Sequence, residues 1–138
     1  MKTKIVSFGE LLLRISKPDY QRLFQGHRML GNYGGSEANT AISLACMGDN
    51  VEYVTRLPKG AMGEAALMHL REYGLKVSHV VRGGERLGTY YFEEAVAMRN
   101  SHVIYDRKNS AMYSLKRGMV DWEKVLADAA VFHCSGIT

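Results

Sequence analysis

Two adjacent glycines, Gly34 and Gly35, stand directly before a stretch with the periodicity of an amphipathic helix. Glycine permits positive φ values and lets another molecule approach the main chain closely. A helix start exposes backbone N–H groups that have no partner within the helix. The combination is typical of a loop that binds a polar, oxygen-rich small molecule. A Gly-Gly pair also occurs where a loop only needs flexibility, so both interpretations stand at this point.

The composition describes one domain with scattered charge. The chain has 138 residues, 46% of them hydrophobic, which is enough for a single core. Its formal net charge is +4, but its Lys and Arg residues do not cluster as a nucleic-acid surface requires. No apolar run is long enough to span a bilayer, and Gly9 and Glu10 interrupt any signal-peptide core. We therefore expect no nucleic-acid or membrane partner and a cytoplasmic protein.

The two cysteines, Cys46 and Cys134, both fall inside apolar segments and neither belongs to a CxxC pair. Free thiols in apolar surroundings are usually buried and unreactive. The sequence therefore predicts two buried free thiols, consistent with a reducing compartment.

Strand and helix patterns alternate along most of the chain. Apolar and β-branched runs predict strands at 5–8, 11–15, 51–55, 77–81 and 131–134, with a short one around 28–30. Helical spacing predicts helices at 36–47, 61–73 and 121–130, with Ser36 and Asp121 as N-caps. This order predicts an α/β fold with a parallel sheet flanked by helices.

The pattern changes between residues 88 and 107. Two aromatic, β-prone runs, 88–93 and 102–106, are separated by a polar turn around 99–101. Nothing helical lies between them, so they predict a hairpin that stands apart from the main sheet.

A series of motifs in a fixed order carries a family resemblance. Asn39 follows the glycine pair, Gly48 stops the first helix, and Thr-Arg-Leu-Pro-Lys-Gly-Ala-Met-Gly occupies 55–63. Together they resemble the first half of the ribokinase-like (PfkB) carbohydrate kinases. The segments 83–93, 103–111 and 132–138 are similar to the 2-keto-3-deoxygluconate kinases of that family. The likeness covers essentially the whole chain.

In that family a parallel α/β sheet carries a small β lid over the sugar, and the lid often contributes to dimerisation. The resemblance thus implies lid strands near 11–33 and 88–107 and a homodimer formed through them. It also implies that a sugar acid is bound by a set of residues in this chain, namely Gly34, Gly35, Ser36, Glu37, Ala38, Asn39, Tyr90, Tyr105 and Arg107.

The chemistry of these residues suits such roles. Arg107 offers a planar fork of donors that matches a carboxylate. Tyr90 and Tyr105 can lie flat on a carbon skeleton and still hydrogen-bond a hydroxyl. Backbone N–H groups near Gly35 can hold further oxygens, so a larger side chain there is expected to harm binding more than folding. Each residue also has a structural interpretation: a local ion pair for Arg107, hairpin packing for the tyrosines and backbone capping for Asn39.

The parts of the family that handle the nucleotide do not occur in this sequence. The family's general base lies on a Gly-Ala-Gly-Asp motif in its second half, and neither that motif nor Gly-x-x-x-x-Gly-Lys is present. Family members often carry Asp before the glycine that corresponds to Gly63, where this chain has Ala61-Met62. We therefore expect an N-terminal half, truncated before the nucleotide-binding half. ATP and Mg²⁺ would be bound mainly by the missing half, and this chain would be inactive alone because it lacks the phosphate-positioning groups.

The expected function is recognition of 2-keto-3-deoxygluconate in a kinase that phosphorylates it with ATP. Another PfkB sugar kinase, such as a fructokinase, is the first alternative, and Arg107 argues against it because a neutral sugar needs no guanidinium. A sugar-binding or dimerisation module without catalysis is the second alternative.

Overall fold

A computed structural model describes residues 3–136. These residues form nine strands and three helices. The strands are β1 Lys4–Phe8, β2 Leu12–Ser16, β3 Leu30–Gly34, β4 Asn50–Val54, β5 Arg56–Leu57, β6 Val81–Arg82, β7 Thr89–Glu93, β8 His102–Asp106 and β9 Ala129–His133. The helices are α1 Ser36–Cys46, α2 Ala61–Glu72 and α3 Trp122–Leu126.

Three of the strands form a parallel sheet, which we call the central sheet, in the order β4-β1-β9. Its two faces carry separate apolar clusters. Val51 and Tyr53 pack with residues of α1 and α2 on one face, whereas Val6 and Val54 pack with Val125 of α3 on the other. The predicted α/β fold with a parallel sheet flanked by helices is confirmed. The short strands β5 and β6 pair in parallel in a separate two-stranded sheet.

Four strands form a second sheet, the small sheet, in the order β3-β2-β7-β8. β2 pairs antiparallel with β3 and parallel with β7, and β7 pairs antiparallel with β8. The hairpin predicted from the aromatic runs is therefore β7–β8, and it lies outside the central sheet.

Within residues 3–136 the chain enters or leaves the small sheet four times. The four passages are residues 9–11, Gly35, residues 83–88 and the segment that follows Asp106. The seam beside the small sheet is therefore built from connecting segments that are adjacent in space and distant in sequence.

Several sequence predictions about element bounds and capping are wrong. The N-cap of α1 is Gly35, and Ser36 is the first helical residue without a capping hydrogen bond. Strand β3 begins at Leu30, where a strand around 28–30 was predicted, and the predicted strand 77–81 is reduced to β6, since Val80 donates to Val77 in a turn. Helix α3 ends at Leu126 and not at residue 130, because Asp128 adopts a φ of 60° and the chain enters β9.

Both cysteines are exposed, which contradicts the prediction of buried thiols. Cys46 is the last residue of α1, and Cys134 follows β9, an edge strand whose residues 130–132 are themselves exposed. Position at the end of a helix and after an edge strand therefore outweighs the apolar character of the surrounding sequence.

No helix in the described part of the chain has the length and apolar character needed to cross a membrane.

Candidate functional site

A cavity of about 330 Å³ opens at the seam between the two sheets. One wall is the face of the small sheet, and the opposite wall is the first turn of α1 with the connection from β1 to β2. Its lining residues are Glu10, Leu12, Arg14, Gly35, Ser36, Glu37, Asn39, Tyr90, Phe92, Val103, Tyr105 and Arg107.

The small sheet presents a polar row to this cavity. Arg14 of β2 is the register partner of Asn32 on β3 and of Tyr90 on β7, and Tyr90 is the partner of Tyr105 on β8. Side chains at directly paired positions project to the same face of a sheet. The rings of Tyr90 and Tyr105 lie side by side with centroids 5.7 Å apart. The row offers a guanidinium and two phenols on one surface.

A buried carboxylate lies at the other wall. Glu10 is 7% exposed, and its two oxygens accept hydrogen bonds from Arg107 Nε and Ser110 Oγ, each at 2.6 Å. A hydrogen-bonded ion pair of this kind fixes both partners more firmly than an exposed pair. The side chain of Arg107 is 30% exposed, so its position is set by Glu10 while part of it faces the cavity.

The start of α1 touches the same carboxylate residue through the backbone. Gly35 has a φ of 167°, which is extended backbone open to any residue. A Cβ at Gly35, however, would stand only 2.3 Å from the carbonyl oxygen of Glu10. Glycine is therefore required here for a steric reason within the protein, so we expect a larger side chain to destabilise the fold, and its effect on binding stays a prediction.

The structure brings most of the sequence-predicted residues together. Seven of them line the cavity: Gly35, Ser36, Glu37, Asn39, Tyr90, Tyr105 and Arg107. Gly34 lines an adjoining cavity, where the hydroxyl of Tyr90 would lie 2.9 Å from an added Cβ. Ala38 is fully buried in the core cluster and faces neither cavity.

Five lining residues were not predicted from the sequence: Glu10, Leu12, Arg14, Phe92 and Val103. The sequence contains only part of the information needed to find them. Arg14, Phe92 and Val103 follow the two-residue alternation of their strands, as do the lining residues Leu12, Tyr90 and Tyr105. Glu10 stands out as an acid between Phe8 and Leu11 in an otherwise apolar segment. The alternation marks which residues share a face, but it does not show that β2 pairs with β7.

Burial and nearby acids act together on Tyr53 beneath the site. Burial raises the pKa of the Tyr53 phenol well above its usual value, and the charges of Glu37 and Glu10 raise it further. The hydroxyl donates a hydrogen bond of 2.9 Å to the carbonyl of Gly9. The phenol thus stays protonated and ties β4 to the connection that carries Glu10.

Residues 2–138 match the model of the pfkB family of carbohydrate kinases. The chain belongs to this family.

Three relatives illustrate the match. The crystal structure of 2-dehydro-3-deoxygluconokinase from Thermotoga maritima superposes with a TM-score of 0.96 at 48% identity, over 99% of this pfkB chain and 42% of that protein. A 2-dehydro-3-deoxygalactonokinase from Haloferax volcanii is 30% identical over all of this chain and 43% of its own length. A 2-dehydro-3-deoxygluconokinase from Bacillus subtilis is 28% identical over 83% of this chain and 36% of its own. The pfkB chain therefore spans less than half the length of these relatives.

The chain offers no evident metal centre in its described part. Among residues 3–136, no group of three or more His, Cys, Asp and Glu side chains is arranged to hold a metal ion. The two carboxylates of the cavity are occupied by protein partners: Glu10 binds Arg107 and Ser110, and Glu37 accepts from the backbone N of Ser135. What this region of a pfkB protein presents is a set of donors and aromatic surfaces suited to an oxygen-rich ligand.

Proposed function

We propose that this chain forms the sugar-acid site of a 2-keto-3-deoxygluconate kinase. The observation that carries the proposal is the cavity at the seam, where Arg107, Tyr90 and Tyr105 face the first turn of α1. A guanidinium suits the carboxylate, the phenols suit the carbon skeleton and its hydroxyls, and the helix start offers backbone donors. The cavity volume of about 330 Å³ is within the range found for small-molecule binding sites.

The names of the relatives support a ketodeoxy sugar acid as the substrate class. Two of those described above are named for the gluconate compound and one for the galactonate compound. These two acids differ in configuration at a single hydroxylated carbon. We propose the gluconate acid as the substrate because the relative with 48% identity carries that name.

We propose that the whole reaction transfers the γ-phosphoryl group of ATP, with Mg²⁺, to the terminal hydroxyl of the bound acid. Phosphoryl transfer depends on positioning and charge stabilisation around the phosphates. The groups that do this would lie in a region equivalent to the part of the longer relatives that this chain does not match. Accordingly, residues 1–138 alone should release no ADP from ATP in the presence of the acid. Sugar-dependent ADP release by this purified chain would contradict that part of the proposal.

The small sheet is proposed to act as a lid over the acid, and a second copy of the chain is proposed to cover its exposed edge. Strand β8 is one of the two edge strands of that sheet, and all five of its residues are exposed. Exposed apolar edge strands favour association.

Titration calorimetry tests the binding proposal directly. The chain is expected to bind 2-keto-3-deoxygluconate and to bind fructose at least about tenfold more weakly, because one charged hydrogen bond contributes about 1.5–3 kcal/mol. The galactonate epimer serves as the comparison within the acid class. Equal affinity for fructose would favour a neutral-sugar kinase, and absence of acid binding by a folded chain would refute the proposal.

A further inference from the structure

Arg14 has an unusual environment in this molecule. It lies in the middle of β2 and lines both the candidate cavity and the adjoining cavity of about 310 Å³. Its Nε is buried and has no hydrogen-bond partner within residues 3–136. The interaction that holds the side chain is with Phe92, whose ring centroid lies 5.7 Å from the guanidinium carbon. Arg14 thus faces the site as a cation without an anionic partner in the described part of the chain.

Other arginines show that this is not a general property of guanidinium groups in the fold. Three of them also have a buried Nε without a partner, yet each donates a hydrogen bond to the protein through a terminal nitrogen. Arg56 donates to Ser114, Arg82 donates to the carbonyl of Pro58, and Arg99 donates to the carbonyl of Glu94. The terminal nitrogens of Arg14, in contrast, make no hydrogen bond to the protein within residues 3–136, and its buried Nε is unpaired as well. Such donors gain most when a ligand or water supplies oxygens.

The charge balance of the cavity singles out the same residue. Arg107 is neutralised by Glu10 at 2.6 Å. The other acid of the wall, Glu37, is 3% exposed and directs one oxygen to the backbone N of Ser135. Neither acid forms an ion pair with Arg14 in the described residues. Of the two arginines that line the cavity, Arg14 is therefore the one whose charge has no acidic partner in the described part of the chain.

We propose that Arg14 is a specificity-determining residue that selects anionic sugars over neutral ones. Arg107, held by Glu10, supplies a donor of fixed direction, whereas Arg14, in the middle of β2, supplies a charge without an acidic partner in the described part of the chain. The cation–π contact with Phe92 holds the guanidinium at the cavity wall, and its terminal nitrogens, which bond no residue within 3–136, are left for ligand oxygens. This inference rests on the proposed sugar-acid function and adds to it the residue that distinguishes a negatively charged sugar from a neutral one.

The test compares two ligands with the same carbon skeleton. 2-Keto-3-deoxygluconate and 3-deoxy-D-fructose differ only in carrying a carboxylate or a hydroxymethyl group at C1. The affinity ratio of acid to neutral sugar is measured by titration calorimetry for the unmodified chain and for Arg14→Met, Arg14→Gln and Arg14→Lys. Arg14→Met keeps apolar packing on Phe92, Arg14→Gln keeps a donor without charge, and Arg14→Lys keeps the charge.

The expected result is a fall of about 10- to 100-fold in the ratio for Arg14→Met and Arg14→Gln, with partial recovery in Arg14→Lys. Arg28→Gln is the matched control, because Arg28 is exposed outside both cavities and its loss changes net charge equally; its ratio should not change. Circular dichroism melts identify any variant that does not fold. The ratio of acid to neutral-sugar affinity in the folded variants then decides whether Arg14 selects for charge.

Two outcomes would overturn the inference in distinguishable ways. If the unmodified chain prefers the acid and the folded Arg14 variants keep that preference, Arg14 is a packing residue and the proposed function still stands. If the unmodified chain binds both ligands equally or neither, the proposed function fails, and the role of Arg14 fails with it.

Discussion

The carboxylate of Glu10 lies 2.6 Å from the Nε of Arg107, although the two residues are 97 positions apart in the chain. The pair joins the connection between β1 and β2 to the segment that follows β8. It therefore links the two walls of the candidate site, and its contribution to stability can be separated from that of surface pairs.

Replacing Glu10 with alanine should destabilise the fold. The change removes the acceptor of both Arg107 and Ser110 from a nearly buried position. We expect a loss of about 1.5–3 kcal/mol in the free energy of unfolding, measured by urea denaturation. Asp106→Ala is the control, since it removes a half-exposed partner of Arg86 and should cost less than about 1 kcal/mol. Equal losses in the two variants would show that the Glu10 pair has no special role.

Arg107→Ala should weaken binding of the sugar acid more than binding of a neutral sugar. A hydrogen bond between charged groups corresponds to roughly 10- to 100-fold in affinity. The measurement is titration calorimetry with 2-keto-3-deoxygluconate and fructose on the same preparation. Lys108→Ala, at the exposed neighbouring position, should leave both affinities unchanged. A parallel loss for both sugars would mean that Arg107 acts on the structure of the site and not on the carboxylate.

Gly35→Ala should destabilise the protein by about 1–3 kcal/mol, as expected when a methyl group is forced into a packed position. The added Cβ would meet the carbonyl oxygen of Glu10 at 2.3 Å, and main-chain atoms cannot move aside as a flexible side chain does. Gly31→Ala is the matched control, because its nearest neighbour would be a methyl group of Leu13 at 3.6 Å. Thermal and urea unfolding of the two variants provide the comparison, and an unchanged midpoint for Gly35→Ala would contradict the steric argument.

His69 should make stability fall on acidification. Burial lowers the pKa of its imidazole from the usual 6.5, a shift only partly offset by Glu72, and the ring packs between Tyr33 and Tyr73 with centroids 4.8 and 5.1 Å away. Below pH 6.5 the unfolded chain therefore takes up a proton more readily than the folded one. The stability that is present above pH 6.5 is lost as the pH falls from there through the lower pKa of the folded state.

The check on His69 is the free energy of unfolding between pH 8 and pH 5 for the unmodified chain and for His69→Gln. The difference between the two proteins isolates this one group from other titrating residues. The variant should lose less stability on acidification, and parallel pH profiles would show that His69 makes no contribution.

The exposed edge of the small sheet should mediate association. Ile104 is 44% exposed in the middle of β8. We expect a dimer in light scattering at micromolar concentration and a shift to monomer in Ile104→Lys, because a lysine on an edge strand opposes strand pairing. Met62→Lys, at an equally exposed apolar position at the start of α2, should remain dimeric. A monomeric unmodified chain would contradict the proposal.

The sequence predicts elements well where the signals are local. Helices α1 and α2 each lie within one residue of the predicted bounds, because alanine and leucine spacing marks their buried faces and Gly48 and Gly74, with φ values of 90° and 80°, follow their ends. The predicted helix at 121–130 is longer than α3 because the left-handed conformation at Asp128 ends it early. An aspartate, unlike a glycine, does not mark such a turn in the sequence.

The site was predictable only as far as the family resemblance extended. Alternation placed Arg14 on a defined face of its strand, but the parallel pairing of β2 with β7 joins residues more than 70 positions apart. Pairing at such separations is decided by the packing of the whole molecule and not by local pattern. Glu10 bonds Arg107 and Ser110 through contacts across about 100 positions of the chain, which no local motif encodes.

The four passages into and out of the small sheet determine where that sheet can tilt relative to the rest of the fold. Each contributes to the same small region: residues 9–11 carry Glu10, Gly35 touches its carbonyl, Gly88 lies against its side chain, and Arg107 binds it. A change in the angle of the small sheet relative to the rest of the fold would be accommodated most readily by backbone rotation in these segments, since they lie outside the hydrogen-bonded strands. Arg107 and the Glu10 carboxylate lie among these segments, so a tilt of the small sheet would change the distance between them, and a ligand in the cavity would be expected to restrain that tilt.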